Sequence, residues 1–339
     1  MEPEYLERVV RGGDLTMDET GEIVESIIDG ESNELQIASF LTALAIKGES
    51  ADEIAGAAAC LRRHMTPIRT RHALLIDTCG TGGDRSGTFN ISTAAALVTA
   101  ASGLPVAKHG NRKVTSRSGS ADVLQELGVN VEAPVRVVEE CLDDVGIGFC
   151  FAPLWHSSLR HVSLIRKALA FPTIFNYVGP LANPAGADFQ VVGVGRPELR
   201  TRLARAIVRL GTRRSIVVWG SEGIDEVSLG KTEVSIVEDG KITEKVWRAE
   251  DFGVESASVA SLQTDGPSES AAVIRAVLAG KKGPARDVVV VNAAAALWTG
   301  GKCETLDEAA RLAEQTLDSG AASKLLDGLA ATSRGEKVH

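Results

Sequence analysis

Residues 77–84 read DTCGTGGD. A short apolar run, HALLI at 72–76, leads into them, and NISTAAALVTAASG at 90–103 follows as the start of a helix. A strand that passes to a helix through a turn of glycines presents backbone amides and no bulky side chains, an arrangement suited to an anion. Asn90, Ser92 and Thr93 stand at the helix start, where their side chains can cap the helix and touch a ligand. The spacing matches neither the GxxxxGK[ST] of a P-loop nor the GxGxxG of a dinucleotide fold. A phosphate-type ligand therefore fits, but not an ordinary NTPase or dehydrogenase. The stretch alone leaves open a tight turn with purely structural glycines.

Working outward, roughly the first 65 residues read as helices only. TMDE at 16–19 and SADE at 50–53 fit the capping box, in which a hydroxyl and a carboxylate satisfy orphan amides at a helix start. Between them Leu35, Ala38, Leu41 and Ala45 fall on one helical face. From residue 72 the pattern changes. The apolar runs ALLID, LPVAKHG, GIGFCF, ADFQVVGVG and SIVVWG alternate with helical stretches, which predicts a parallel sheet covered by helices. TEVSIVEDGKITEKVWR at 232–248 breaks the rhythm, with two alternating runs around Asp239-Gly240 that predict a hairpin. FPTIFNYVGPLANPAG at 171–186, rich in Pro, Gly and Asn, reads as a crossover between domains. The end of the chain returns to helix, with Gly300-Gly301 closing one helix and Thr305 and Glu308 boxing the start of the next.

Composition bounds the function. The 339 residues carry a formal net charge of -9, which argues against a general nucleic-acid binder and leaves room for a local anion site. Hydrophobic residues make up 44%, enough for a sizeable core in a chain of this length. The five cysteines (Cys60, Cys79, Cys141, Cys150, Cys303) are an odd, scattered set without a CxxC pair. That argues against a disulfide framework or zinc site and for a reducing cytoplasm. MEPEYLERVV is not a signal peptide, and the apolar run VVVVNAAAALW is too short to span a bilayer.

Two more stretches bear on chemistry. KHGNRKVTSRSGSAD at 108–122 follows the strand LPVA, at the strand end where open α/β sheets bind ligands. Lys108, Arg112, Lys113 and Arg117 bring four positive charges, and Ser118, Gly119 and Ser120 open a helix whose amides can hold an anion. Two anion sites at adjacent strand ends suit a ligand with two separated phosphate groups; the alternative is a solvated basic loop. In GIDEVSLGKT at 223–232, Asp225 and Glu226 could hold magnesium, which needs one or two carboxylates plus substrate phosphate, or could be an exposed turn.

Together, GTGGD, NIST, KHGNR, SGSAD, FNYVGPLANPAG and GIDEVS resemble, in that order and over nearly the whole chain, the anthranilate phosphoribosyltransferases. The resemblance implies transfer of phosphoribose from phosphoribosyl pyrophosphate to the amino group of anthranilate in tryptophan biosynthesis, with magnesium, by a cytoplasmic homodimer without nucleic-acid or membrane partners. The implied fold is α/β: a small all-helical domain hinged to a larger α/β domain with a mainly parallel central sheet covered by helices. The small domain would span 1–70, completed by a crossover at about 165–187, and the large domain 71–164 and 188–339. The implied donor contacts are Gly80, Thr81, Gly82, Gly83, Asp84, Thr88, Asn90, Ser92, Thr93, Lys108 and Ser120. Anthranilate would meet Gly80, His109, Asn111, His156 and Arg166, and metal would meet Ser92, Asp225 and Glu226.

The chain departs from the family at HSSLR, 156–160, and at Pro172 before TIFN, while keeping Arg166 ten residues after His156. Departure of pyrophosphate leaves positive charge on the anomeric carbon, and an arylamine needs no strong base. The residues sought are therefore clamps, with electrostatic and positioning roles for Lys108, Asn111 and Arg166, and no nucleophile. Two other readings stay open at this point. A pyrimidine nucleoside phosphorylase would carry a KxSGR-like motif in place of KHGNR. A non-catalytic nucleic-acid binder of the same fold would have lost the donor motifs.

Overall fold

The computed structural model describes residues 1–84, 86–113, 117–156 and 159–336, without the side chains of residues 160 and 161. Four helices open the chain: α1 (Pro3–Val10), α2 (Met17–Ile28), α3 (Glu34–Lys47) and α4 (Ala51–His64). Both expected capping boxes form. The Glu19 carboxylate accepts from Thr16 N at 2.9 Å while Thr16 Oγ1 accepts from Glu19 N at 3.2 Å. In the second box Glu53 also accepts from Leu15 N at 3.0 Å and from the Lys47 ammonium at 2.9 Å, so this buried carboxylate is fully paired. The expected face of α3 is corrected. Its buried side chains are Ile37, Phe40, Leu41 and Leu44, and Leu35 is 80% exposed. The helix carries two apolar stripes, and the one with the bulkier side chains takes the core.

Where α2 meets α4, a carboxylate, a thiol and an imidazole (Glu25, Cys60, His64) lie within 4.8 Å of one another. Glu25 is engaged by Arg63 at 2.8 Å and His64 at 3.2 Å, and burial pushes the Cys60 thiol up to about 11, so the group serves as an ion pair beside a core thiol.

The alternating part runs β1 (Ile76–Gly80), α5 (Ile91–Ala101), β2 (Val106–Gly110), α6 (Ser120–Glu126), α7 (Val135–Glu140) and β3 (Ile147–Phe151). Three helices follow, α8 (Ala152–Trp155), α9 (Arg160–Leu169) and α10 (Ile174–Val178), before β4 (Phe189–Gly193), α11 (Pro197–Leu210) and β5 (Arg214–Gly220). The hairpin is β6 (Lys231–Glu238) and β7 (Lys241–Arg248), with Asp239 and Gly240 at φ 50° and 72°. Positive φ at both turn residues matches the twist of the paired strands. The chain closes with α12 (Pro267–Leu278), α13 (Pro284–Thr299), α14 (Leu306–Asp318) and α15 (Ala321–Ser333). At α14 the expected box is half formed: Thr305 Oγ1 accepts from Glu308 N, but the Glu308 carboxylate accepts from Glu304 N.

The seven strands lie in the order β3-β2-β1-β4-β5-β6-β7. The first five in that order are parallel and the last two antiparallel. The order reverses at β1, whose neighbours are β2 and β4. Ligands of open α/β sheets bind at such a switch point, outside the carboxyl ends of the strands. One core lies between the sheet and α5, α6 and α12 to α15. A second joins α1 to α4, α10 and α11 over the opposite face, through Val192 and Val217.

After β3 the chain leaves the sheet, lays α9 on α3 and α10 on α4, and returns at β4. Its return is fixed by a buried polar knot. Asn183 Nδ2 donates to Asp77 Oδ2 at 2.8 Å and to the Ala107 carbonyl at 2.7 Å, and His109 N donates to Asp77 Oδ1 at 3.1 Å. Burial pushes the Asp77 carboxyl up to about 6 in spite of these bonds. Among the described residues no helix is long and apolar enough to cross a membrane.

Candidate active site

A cavity of ≈ 680 Å³ opens at the carboxyl ends of β1 and β2. The glycine stretch begins inside β1, which ends three residues past the run ALLID, because Gly80 still pairs with Gly193 of β4. Beyond it Gly82 and Gly83 adopt φ 67° and 80°, and a β-carbon at either would meet nothing within 4 Å. These two residues are held in a left-handed bend that faces open space, with no side chain of their own between the backbone and the cavity.

The acidic pair lies directly beneath. Asp225 Oδ2 accepts from Gly82 N at 2.9 Å, and Glu226 Oε1 accepts from Ser92 N at 3.2 Å, at the start of α5. A β-carbon on Gly80 would stand 2.3 Å from Asp225 Oδ2, so glycine is required there by the acid and not by a ligand. Both carboxyls are held well above the usual range, Asp225 by desolvation and the nearby Asp84, Glu226 by desolvation and Asp225. Crowded, half-buried carboxylates call for a cation, and the donors on hand are oxygens: two carboxylates and the Ser92 hydroxyl. That set fits a hard ion such as magnesium. Lys108, buried, donates to the Thr78 carbonyl at 2.6 Å and to Ser92 Oγ at 3.4 Å, and so supplies a fixed positive charge behind the loop.

Of the expected donor residues, Gly80, Thr81, Gly82, Gly83, Asp84, Thr88, Asn90, Ser92, Lys108 and Ser120 all border the cavity. Thr93 is set back from the lining: it is 1% exposed, inside α5, with its buried Oγ1 unpartnered. Asn90 borders it, but makes no side-chain cap on α5. Its Oδ1 accepts from Ser270 Oγ at 2.9 Å and its Nδ2 donates to the Ser118 carbonyl at 3.5 Å, which aims the amide across the cleft.

The basic stretch also differs from expectation. Arg112 pairs with Glu132 at 2.8 Å, and Arg117 with Asp265 at 2.8 Å, so these cations are largely compensated. The Gly119 amide is taken by Asp122 at 3.1 Å and the Ala121 amide by the Asn111 carbonyl at 3.2 Å. That leaves the start of α6 a weaker anion site than the sequence suggests. Residues 114–116 lie outside the described residues, as do Ser157, Ser158 and the Arg160 side chain of HSSLR.

The cavity is also lined by His109, Asn111, His156 and Arg166. The two imidazoles meet edge to face, with centroids 5.4 Å apart, and each keeps a buried Nε2 without a partner. Burial, with His156 and Lys108 nearby, pushes His109 down to about 3, and burial also lowers His156, so both rings are neutral near pH 7. Arg166 stands over the Phe175 ring at 5.8 Å and donates to Asn176 Oδ1 at 3.2 Å. Among the described residues it has no carboxylate partner. A half-buried guanidinium satisfied by a neutral amide is ready to receive an anion.

Comparisons with known proteins agree with this geometry. The glycosyl transferase family a/b domain matches residues 72–323, and the helical bundle domain of that family matches residues 3–65. The anthranilate phosphoribosyltransferase of Moorella thermoacetica is 47% identical over 96% of this chain and 96% of its own length. The chain belongs to the anthranilate phosphoribosyltransferase family. The Thermus thermophilus member of that family superposes with a TM-score of 0.92 at 42% identity, covering 97% of this chain and 99% of the other. The Saccharomyces cerevisiae enzyme in complex with PRPP and Mg superposes at 0.87 with 29% identity, covering 98% and 99%. For this chain, the phosphoribosyltransferase reading thus prevails over the nucleoside phosphorylase and nucleic-acid-binding ones.

Several residues that hold the cavity lining in place carry no motif. Asn176, which holds Arg166, sits in the quoted FNYVGP but carries no signal of that contact. Ser270 and Asp77 act through partners 180 and 32 residues away.

Proposed function

We propose that this chain transfers the 5-phosphoribosyl group of phosphoribosyl pyrophosphate to the amino group of anthranilate, releasing pyrophosphate and N-(5-phosphoribosyl)anthranilate. One observation carries the reading. One cavity is lined both by the glycine bend with its acidic pair and by an arginine that lacks a carboxylate partner among the described residues. The two groups match a pyrophosphate-bearing donor and a carboxylate-bearing arylamine.

The work falls to positioning and charge. The amides of the glycine bend and Lys108 receive the pyrophosphate. Ser92, Asp225 and Glu226 would hold magnesium, which when bound neutralises the departing pyrophosphate oxygens. Arg166 takes the acceptor carboxylate, and neutral His109 and His156 wall the pocket against water. Their unpartnered Nε2 atoms offer acceptors to the arylamine hydrogens, so the lone pair of its nitrogen can be turned toward the anomeric carbon. No protein nucleophile is required.

The same reading extends to the assembly. Residues 1–70 with about 165–187 form the smaller domain, and the cleft lies where it meets the larger one. Val10 (66% exposed), Leu35 (80%) and Ile46 (82%) form an apolar face on α1 and α3 suited to a second copy in a cytoplasmic homodimer. The deciding experiment follows the loss of anthranilate fluorescence in the presence of phosphoribosyl pyrophosphate and magnesium. Turnover that needs all three supports the reading, and no turnover with folded protein overturns it.

A further inference from the structure

Asn292 stands alone in an apolar helix. It lies midway along α13, in VVVVNAAAA, between valines and alanines that are fully buried, and is itself 3% exposed. Its amide reaches sideways to one residue of a loop 65 positions earlier. Oδ1 accepts from Val227 N at 2.9 Å, and Nδ2 donates to the Val227 carbonyl at 2.8 Å, with a further bond to the Val288 carbonyl at 2.8 Å. Paired donor and acceptor bonds between a side-chain amide and one residue's backbone fix its orientation as well as its position. Val227 is the residue immediately after Glu226.

The loop is gripped from the other side as well. The Asp225 carbonyl lies so close to Gly193 that a β-carbon there would stand 1.6 Å from it, and Gly220 N donates to the Ile224 carbonyl at 3.0 Å. The two carboxylates therefore project from a backbone clamped between β4 and α13. Only amide chemistry at position 292 serves both polar groups of Val227. An aspartate could accept from its N–H but would repel its carbonyl, and an apolar residue would leave both groups buried and unpaired.

We propose that Asn292 is a positioning residue for the metal-binding acidic pair, holding Asp225 and Glu226 at the height where they meet Gly82 and Ser92. This rests on the assignment of that pair to magnesium. Outer-shell contacts of this kind typically change metal affinity about 10- to 100-fold when removed. The test compares wild type with Asn292→Ala, the milder Asn292→Ser, and Val290→Ala, a core truncation in the same helix. Manganese binding in the presence of pyrophosphate is measured by calorimetry, alongside magnesium curves for turnover and the KM for anthranilate.

The expected result for the Asn292 variants is manganese affinity weakened about tenfold or more, with the magnesium midpoint raised to match. KM for anthranilate stays within about twofold, and Val290→Ala loses stability without moving the metal curves. Folded Asn292 variants with wild-type metal curves would overturn the proposal, and so would an equal shift in Val290→Ala. Should both Asn292 variants fail to fold, hydrogen exchange on the wild type decides. The Val227 amide should be protected like the core of α13, and exchange at the rate of exposed loops would overturn the clamp. Wild-type protein that binds manganese with pyrophosphate but never consumes anthranilate would sink the functional reading and leave this one standing.

Discussion

Asp225 occupies the amide of Gly82: the carboxylate accepts that hydrogen at 2.9 Å, across 143 positions of sequence. On the proposed reading an incoming pyrophosphate takes this amide, and the protein holds its own carboxylate in that place. A cation that draws the Asp225 carboxylate aside uncovers the amide. Donor binding is therefore expected to depend steeply on magnesium. Titrating donor by calorimetry with and without the metal checks this, and equal affinities would refute it.

The acidic pair should trade stability for activity. In the Asp225→Asn, Glu226→Gln double variant the oxygen acceptors for Gly82 and Ser92 remain while the crowded negative charge is gone. The melting temperature should rise by about 2–8 °C. Turnover should fall by orders of magnitude or need far more magnesium, because the missing interaction acts as charge develops on the leaving group. A thermal melt beside a magnesium curve reads both, and wild-type turnover that survives EDTA would remove the metal altogether.

Arg166→Ala should raise KM for anthranilate while leaving donor binding nearly unchanged. A charge-assisted pair of this type contributes about 1.5–3 kcal/mol, or roughly 10- to 150-fold. The loss should fall on the acceptor alone, since Arg166 is held by Asn176 and Phe175 and not by the glycine bend or the acidic pair. Steady-state kinetics with each substrate varied in turn separates the two.

The glycines of the loop should fail in different ways. Gly83→Val meets no atom, so its cost is a strained left-handed backbone of about 1–3 kcal/mol, and the protein should fold but lose donor binding. Gly80→Ala, whose new carbon would stand 2.3 Å from Asp225 Oδ2, should instead shift the magnesium curve. Melting curves with donor and metal titrations tell these outcomes apart.

Acid stability should carry the mark of His109. Its imidazole is pushed down from 6.5 to about 3 in the folded protein, so between those values the unfolded chain binds more protons. Stability then rises with pH across that window: the contribution is complete above about 6.5 and is lost on acidification, on the order of 3–5 kcal/mol in all. Asp77, pushed up from 3.8 to about 6, acts with the opposite sign over its own narrower window. Denaturant midpoints from pH 7.5 toward 4 should therefore fall less steeply for His109→Gln than for wild type, and parallel curves would contradict the assignment.

The legible features share a cause. The glycine stretch and KHGNR each run off the end of a strand, the acidic pair follows one, and the sheet gathers strand ends at one edge. Adjacency in sequence therefore became adjacency in space. The Asp239-Gly240 turn was readable because few residues tolerate two successive positive φ values. What stayed hidden was decided by partners far away. Asn292 answers a peptide group of another element, and no pattern around VVVVNAAAA encodes that. Thr93 shares NIST with Ser92, but the helix turns it away from the cleft by about 100° per residue. The phase of α3 cannot be read from its sequence because both of its stripes are apolar and only packing chooses between them.

The excursion between β3 and β4 has a consequence during synthesis. The first four helices are complete at His64, yet part of the core they share, Ile174, Phe175 and Val178 of α10, is translated about 110 residues later. At about 5–20 residues per second the nascent bundle waits on the order of 5–20 s with apolar surface open. In that interval the strands β1 to β3 emerge into its neighbourhood before β4 can join them. Fragments ending between residues 65 and 173 should therefore be the aggregation-prone ones.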